Sequence, residues 1–458
     1  MLIDEISEEL RAIVGENWVI TDPRAIDPYL FDKTEPYIRP QPIKEVIVVK
    51  PGSIDEISKV MKLAFASSIP VFPRGGGTGL TGGAIPTRSG IVLSLERLNR
   101  VNIDKNNMIA EVEAGATLRK LIEEAEKNDL YFPPHPGDEG AQIGGLIACN
   151  AGGSRALRHG TMRNSVLGLQ IVLPNGRLVT IGGKALKNNM GTNFSHLFIG
   201  SEGSLGIIVK AYVKLYPKPR FSATLLFPFS SPNDAIEAAM ELLWNGYVPL
   251  SLELVDATSM RKTADYLGLP WKYGTGEVYL MILLAEPNQE MLYAEIEGIS
   301  SILSRRTSGE PILTERREEQ DEILKIRSEI YSAYEKNLFE GLDVSLPLGE
   351  IRNFLEMLNR IGEKYGVKFP IVAHLGDGTF HPDILLDSKE KDVLVKVREE
   401  IYESAISLGG SITGEHGIGY TRRVYAEKYL DEGLKELMRN IKKAIDEKGI
   451  MNPDKFIP

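Results

Sequence analysis

Residues 73–86 read Pro-Arg-Gly-Gly-Gly-Thr-Gly-Leu-Thr-Gly-Gly-Ala-Ile-Pro, and six of these residues are glycine. A stretch this poor in side chains can take positive φ and bring its backbone N–H groups up to a ligand, as an anion cradle requires. A phosphate or pyrophosphate is the expected anion; the alternative is a long glycine-rich turn with no ligand. The string Gly77-Thr78-Gly79-Leu80-Thr81-Gly82 satisfies G-x-G-x-x-G. That dinucleotide fingerprint needs a helix to open at the glycines. Here Pro86, Thr87, Arg88 and Gly90 lead instead into the strand-like Ile91-Val92-Leu93-Ser94-Leu95, so the loop is expected to join two strands.

The rest of the chain has room to build around such a loop. Its 458 residues allow two or three domains, and 43% hydrophobic content supplies real cores. A formal charge of −10 leaves no basic excess for a nucleic-acid partner. A single cysteine, Cys149, excludes a disulfide framework and a cysteine-held iron–sulfur cluster within the chain. No apolar run reaches the roughly 20 residues of a membrane span, and the start Met1-Leu2-Ile3-Asp4-Glu5 is acidic where a signal peptide would be basic. A cytoplasmic protein with no membrane insertion is expected, with a peripheral place on the cytoplasmic membrane face left open.

Prolines 23, 28, 36, 40 and 42 make residues 1–42 a packed arm behind a short amphipathic helix. Beyond it the pattern alternates. Val46-Ile47-Val48-Val49 reads as a strand, and Ser53-x-x-Glu56 caps a helix with Ile57, Val60, Met61 and Ala64 on one face. Strands follow at 91–95 and 108–114, then a helix carrying Leu118, Leu121, Ile122 and Ala125. Pro133-Pro134-His135-Pro136-Gly137 delivers the chain to a small-residue run, Ile143 to Gly153, that lets backbone approach a flat ligand. A hairpin is predicted from 166–173 to 178–179 around Pro174-Asn175-Gly176. A third glycine run, Ile199-Gly200-Ser201-Glu202-Gly203-Ser204-Leu205-Gly206, opens a strand with Val209, Ala211, Val213 and Leu215 alternating. From about residue 220 longer helices alternate with strands at 222–228, 250–255 and 277–284, an α+β layer.

Three of the six histidines, His374, His381 and His416, fall within 43 residues. His374 and His381 flank a glycine-bearing turn after an apolar Ile371-Val372-Ala373 strand, and Glu415 precedes His416 in Gly414-Glu415-His416-Gly417-Ile418-Gly419. Two histidines and a carboxylate with vacant positions suit a catalytic divalent metal, Zn²⁺ first, Mn²⁺ or Fe²⁺ next. The seven-residue histidine separation is not a usual zinc spacing, and ordinary loop histidines satisfied by backbone are the alternative.

Three glycine runs in this order resemble the FAD-binding domain of the vanillyl-alcohol-oxidase superfamily, and the branch with D-lactate dehydrogenase, the glycolate oxidase flavin subunit and D-2-hydroxyglutarate dehydrogenase in particular. The resemblance implies an α+β fold: a two-subdomain FAD-binding domain (43–219) joined by the arm 1–42, a ferredoxin-like substrate domain with the metal site (220–424), and a C-terminal helical segment (425–458) returning to the FAD domain. It places the pyrophosphate at Pro73, Arg74, Gly75, Gly76, Gly77, Thr78, Gly79 and Leu80. It sets Pro134, His135, Pro136, Gly137, Ile143, Gly144, Gly145, Ala148, Asn150, Gly152 and Gly153 along the flavin, and Glu202, Gly203, Gly206 and Ile207 at the closing turn. Thr78 stands where some relatives carry a flavin-linking histidine, so non-covalent FAD is implied; His135, in place of a usual Asp, is the one imidazole that could form such a bond.

By the same resemblance His374, His381 and Glu415 ligate the metal and His416 is the base. Asp377 either orients a ligand or caps its own turn. A hydroxyl of pKa about 15.7 facing a histidine near 6.5 lies roughly 12 kcal/mol uphill, which a metal can offset. Arg327 matches the arginine that clamps the substrate carboxylate; the alternative is a solvated arginine among Glu318, Glu319, Asp321 and Glu322. Leu324 replaces a tryptophan, Thr379 an asparagine, and Gly341 a lysine that would hold a second carboxylate, which disfavours long diacids. The implied reaction is oxidation of a short D-2-hydroxy acid, D-lactate or glycolate first. Electrons would pass to an external acceptor: a quinone, a cytochrome, an electron-transfer flavoprotein or an iron–sulfur subunit. A homodimer is in keeping with the branch. Competing readings are an ether-lipid (alkylglycerone-phosphate) synthase and a non-catalytic flavin subunit of a larger complex.

Overall fold

The computed structural model describes residues 2–274, 276–386 and 390–455, with side chains from Ile6 onward, so the end of the segment 425–458 lies outside the described residues. The chain divides into two compact units, Met1–Ala151 with Thr161–Pro217 and Glu415–Pro458, and Gly152–Gly160 with Lys218–Gly414.

In the first unit, helix α1 (Leu2–Val14) precedes a four-stranded sheet of β1 (Val19–Ile20), β2 (Val46–Val49), β3 (Val71–Arg74) and β4 (Gly90–Ser94) in the order β1-β2-β4-β3. Strands β2, β4 and β3 are parallel, with β1 antiparallel at the edge. All four residues of β2 are buried, as a strand covered on both faces requires. Helix α2 (Ile54–Ala66) starts as its sequence predicts: the Ser53 hydroxyl accepts from the Glu56 N–H at 3.2 Å and the Glu56 carboxylate accepts from the Gly52 N–H at 2.7 Å. Strands β3 and β4 are parallel neighbours, a pairing that needs a crossover of about a dozen residues or more. Residues 75–89 supply it without a helix, and this crossover is the glycine loop.

A second sheet in the same unit is antiparallel throughout, ordered β5-β6-β9-β7-β8 from β5 (Val101–Asp104), β6 (Ile109–Glu113), β7 (Val166–Val172), β8 (Leu178–Gly182) and β9 (Ile207–Lys214). Helices α3 (Leu118–Glu126) and α4 (Ile143–Cys149) bury Leu118, Leu121, Ile143 and Ile147 against Val112, Leu169 and Val213. The predicted hairpin is the pair β7 and β8, with Ile171 opposite Val179.

The second unit is built on β10 (Phe221–Phe229), α5 (Pro232–Trp244), β11 (Ser251–Asp256), α6 (Ala257–Leu267), β12 (Val278–Glu286), α7 (Gln289–Leu303) and β13 (Ile312–Thr314). Its sheet runs β13-β10-β12-β11, the ferredoxin-like order with α6 inserted. Beyond β11 it continues through β15 (Val372–His374), β16 (Thr379–Phe380) and β14 (Val344–Ser345). One face packs Leu226, Val255, Tyr279 and Met281 against Met260 and Ala264 of α6 and Ile323 and Ile326 of α8 (Arg317–Ser328). Among the described residues no helix is long and apolar enough to cross a membrane.

Candidate functional site

The glycine loop leaves β3 at Arg74, whose side chain is buried with its residue 7% exposed. Arg74 Nη2 donates to the Pro28 carbonyl at 3.0 Å, and Nη1 has no partner among the described residues. Burial lowers the pKa of this guanidinium, with the Asp32 carboxylate opposing. A Cβ on Gly77 would run into the guanidinium, and one on Gly76 would meet the Gly140 carbonyl at 3.0 Å. The loop therefore lies against Arg74 on one side and the approach to α4 on the other. The backbone N–H groups of residues 75–80 make no hydrogen bond to the described residues. Thr78 and Leu80 complete the loop, and Pro73 packs under Gly203.

Other residues of the predicted flavin lining have work inside the protein. Residues 143–149 form helix α4, and Gly144 permits its close approach to β6, since a Cβ there would stand 2.6 Å from that of Ala114. Gly145 and Ala148 share that helix, and no atom outside it lies within 4 Å of a Cβ placed on Gly145. Asn150 caps it in the left-handed region, and its Oδ1 accepts from Thr161 Oγ1 at 2.8 Å and Arg163 N–H at 3.0 Å. Gly152 and Gly153 begin the second unit. His135 sits between Pro134 and Pro136, with Nε2 3.2 Å from Glu139 Oε1; Gly137 beside it borders open space. Gly206 leads into Ile207, the first residue of β9, and packs against Ile171. Burial pushes the Cys149 thiol up to about 12, helped by the carboxylates of Glu202 and Asp32.

Glu202, on the predicted closing turn, is engaged inside the protein. Its carboxylate accepts from the backbone N–H groups of Ile418 and Gly419, both at 2.7 Å, and so holds the loop that follows His416. Burial pushes its pKa up to about 7 against those two N–H groups and the nearby Arg422 and Lys455. Nothing local in the third glycine run signals a partner more than 200 residues away.

The second cluster grows from the β15–β16 hairpin. His374 pairs with Thr379 across it, and His381 N–H donates to the Val372 carbonyl at 2.9 Å, so the two histidines are diagonal neighbours on one sheet face. Their rings lie 5.2 Å apart, nearly perpendicular. The seven-residue separation is the length of this hairpin's turn and flanks. On the following segment Gly414 N–H donates to the Asp343 carbonyl at 2.6 Å and to its carboxylate at 3.0 Å, and Glu415 is the next residue. His374, His381 and Glu415 each offer one ligand atom, all within 4.8 Å of one another. His416 Nε2 lies 3.8 Å from Glu415 Oε1.

Partners fix the ring orientations. His381 Nδ1 lies 3.2 Å from the Leu342 carbonyl, and His374 Nδ1 lies 2.9 Å from both carboxylate oxygens of Glu253. Nδ1 is thereby the donor in each ring, and Nε2 carries the lone pair. Glu253 is fully buried on β11 and also receives Arg327 Nη2 at 2.6 Å and Ser251 Oγ at 3.1 Å. Burial alone would raise its pKa; His374 and Arg327 hold it below the usual carboxylate range. Arg327 thus pairs with Glu253, and among the described residues with none of Glu318, Glu319, Asp321 and Glu322. Asp377 accepts from the Thr379 N–H at 3.0 Å, a turn-capping bond. Sequence reading missed Glu253, although a lone carboxylate between Leu252 and Leu254 in an apolar strand was a signal.

Residues 46–182 match the family model of the FAD binding domain, and residues 218–456 that of the C-terminal domain of FAD linked oxidases. The chain belongs to the FAD-linked oxidases. It is 38% identical over 431 residues to a D-lactate dehydrogenase of Archaeoglobus fulgidus, covering 94% of this chain and 96% of that protein. It is 32% identical over 468 residues to the glycolate oxidase subunit GlcD of Bacillus subtilis, covering 100% and 97%. Among solved structures, 4-ethylphenol oxidase from Gulosibacter chungangensis matches with a TM-score of 0.79 at 19% identity, over 99% of this chain and 96% of that one. An alkyldihydroxyacetonephosphate synthase matches with 0.75 at 19% identity, over 98% and 85%. At such identities these structures speak to the fold alone, and the fold is of the vanillyl-alcohol-oxidase type. This FAD-linked oxidase is accordingly an oxidoreductase that acts on a small molecule and hands electrons to an acceptor. Its own residues fit the cofactor: six unengaged N–H groups over 75–80 and an unpartnered Arg74 Nη1 face the same loop, a donor set suited to a pyrophosphate.

Proposed function

We propose that this FAD-linked oxidase is a D-2-hydroxyacid dehydrogenase acting on D-lactate or glycolate, with a metal at His374, His381 and Glu415 and non-covalent FAD. The convergence of those three ligand atoms within 4.8 Å, next to an imidazole, is the observation that carries the reading. FAD when bound supplies a two-electron acceptor, and a divalent cation a Lewis acid that lowers the pKa of the substrate hydroxyl. The donor set, two imidazole Nε2 atoms and one carboxylate, suits Zn²⁺ first and Mn²⁺ or Fe²⁺ next. His416, at Nε2, takes the hydroxyl proton as the α-carbon gives up its hydride and the C–O bond becomes a carbonyl. Arg327 binds the substrate carboxylate while Nη2 stays on Glu253. The Arg74 guanidinium and the N–H groups of residues 75–80 hold the pyrophosphate. In this reading residues 43–219 serve the cofactor and 220–424 the substrate and metal, with 1–42 and 425–458 packed on the former.

The relatives named D-lactate dehydrogenase and glycolate oxidase support this choice of substrates. Anaerobic D-lactate or glycolate should bleach the flavin of the purified protein at substoichiometric enzyme, and chelation should abolish the bleaching while leaving the flavin bound. Absence of bleaching by every short D-2-hydroxy acid would refute the assignment.

A further inference from the structure

Glu253 lies opposite His374 in the antiparallel β11–β15 pair, in the register that sets Leu254 against Ala373 and Val255 against Val372. Its side chain is 0% exposed, and those of His374 and Arg327 only 12% and 14%. An uncompensated carboxylate in such a place costs several kcal/mol, roughly, so its persistence depends on its donors. Three side chains supply them: His374 at 2.9 Å, Arg327 at 2.6 Å and Ser251 at 3.1 Å.

We infer that Glu253 is a positioning residue that ties the metal ligand His374 and the substrate-binding Arg327 into one buried unit. The inference rests on the metal reading above. With its Nδ1 proton held by both carboxylate oxygens, His374 keeps one tautomer and one ring plane, so Nε2 stays a ligand without rearrangement. The same carboxylate anchors one end of the Arg327 guanidinium. Because Arg327 Nε is itself buried without a partner among the described residues, Glu253 is what fixes the direction of that fork. Metal binding and substrate binding should therefore fail together when the carboxylate is changed, although Glu253 is not among the proposed ligands and is not proposed to touch substrate.

The test is E253Q, which keeps the shape and loses the charge, prepared with FAD and stripped of metal. Zn²⁺ binding to wild type and variant is measured by competition with a chromophoric chelator, alongside flavin absorbance and thermal unfolding. Loss of an outer-shell partner of this kind is expected to weaken Zn²⁺ binding about 10- to 100-fold with the flavin retained. In metal-saturated protein KM for D-lactate should rise about tenfold, as for one lost charge-assisted hydrogen bond. E253D, which keeps the charge, should recover part of both losses. Zn²⁺ binding within about twofold of wild type in E253Q would overturn the inference and leave the metal reading standing. A wild-type protein that binds no Zn²⁺ would overturn both. Should E253Q fail to fold, E253D decides: weakened Zn²⁺ binding with flavin in place supports the role, and wild-type binding refutes it.

Discussion

Replacing Gly417 by alanine should destabilise the protein more than its place in an irregular loop suggests. Gly417 has φ +83°, and a Cβ built on it would lie 2.7 Å from Glu202 Oε1 and 3.0 Å from its Cδ. A non-glycine residue in the left-handed region costs about 1–2 kcal/mol. The carboxylate tip of a free glutamate could swing away cheaply, but this one is buried and receives Ile418 and Gly419 N–H groups at 2.7 Å each. Losing one of those charge-assisted bonds adds about 1.5–3 kcal/mol, for a total of about 2.5–5 kcal/mol. Gly246→Ala is the control, because it has φ +88° with nothing within 4 Å of the added carbon and should show the backbone cost alone. Urea unfolding at pH 8, where Glu202 is ionised, gives both values. A Gly417→Ala loss no greater than that of Gly246→Ala would show that Glu202 does not hold the loop.

His416→Ala should retain FAD and metal yet slow single-turnover flavin reduction by roughly 10²- to 10⁴-fold, whereas Glu415→Ala should lose the metal as well; elemental analysis beside stopped-flow absorbance separates them. For pH, Glu202 goes from an ordinary 4.5 to about 7 on folding, so the folded protein holds this proton more tightly than the unfolded chain. Its contribution is complete below pH 4.5 and is lost as pH rises through 7, by up to about 3 kcal/mol. Glu202→Gln should flatten that decline, and parallel urea titrations at pH 5 and 8 would show no difference between the two proteins if burial did not raise this group.

Local features were legible where local chemistry decides them. The Ser53 cap, the alternation of β9 and the glycine crossover from β3 to β4 each follow from residues adjacent in sequence. The partner of Arg327 was not, because the acids on its own helix make a local argument while Glu253 lies 74 residues away on strand β11. Run 143–153 was legible as a close-approach segment, but not which surface it approaches: Gly144 meets Ala114 inside the protein. The histidine spacing was uninformative for a related reason. Familiar metal spacings come from helices and short knuckles, whereas here strand register, a long-range property, brings His374 and His381 to one face.

Buried carboxylates hold irregular backbone at several places in this protein, and the reason is the same each time. Segments without a ladder still carry N–H donors that must be paired when removed from water. Asp343 accepts from Gly414, Glu202 from Ile418 and Gly419, and Asp446 from Ile450 and Met451 at 3.1 and 2.8 Å. Each acceptor offers up to four lone-pair sites on one side chain, more than a carbonyl can, so one residue can fix a short run of irregular backbone. The cost is desolvation, which explains why each also has a second kind of donor: Thr413 for Asp343, Arg422 and Lys455 near Glu202, Lys442 for Asp446. An acidic surplus in such a chain is therefore partly internal. Amide substitution at any of these positions keeps one acceptor oxygen but turns the other toward an N–H as a second donor. The irregular segments, not the sheets, should be where such variants first lose protection from hydrogen exchange.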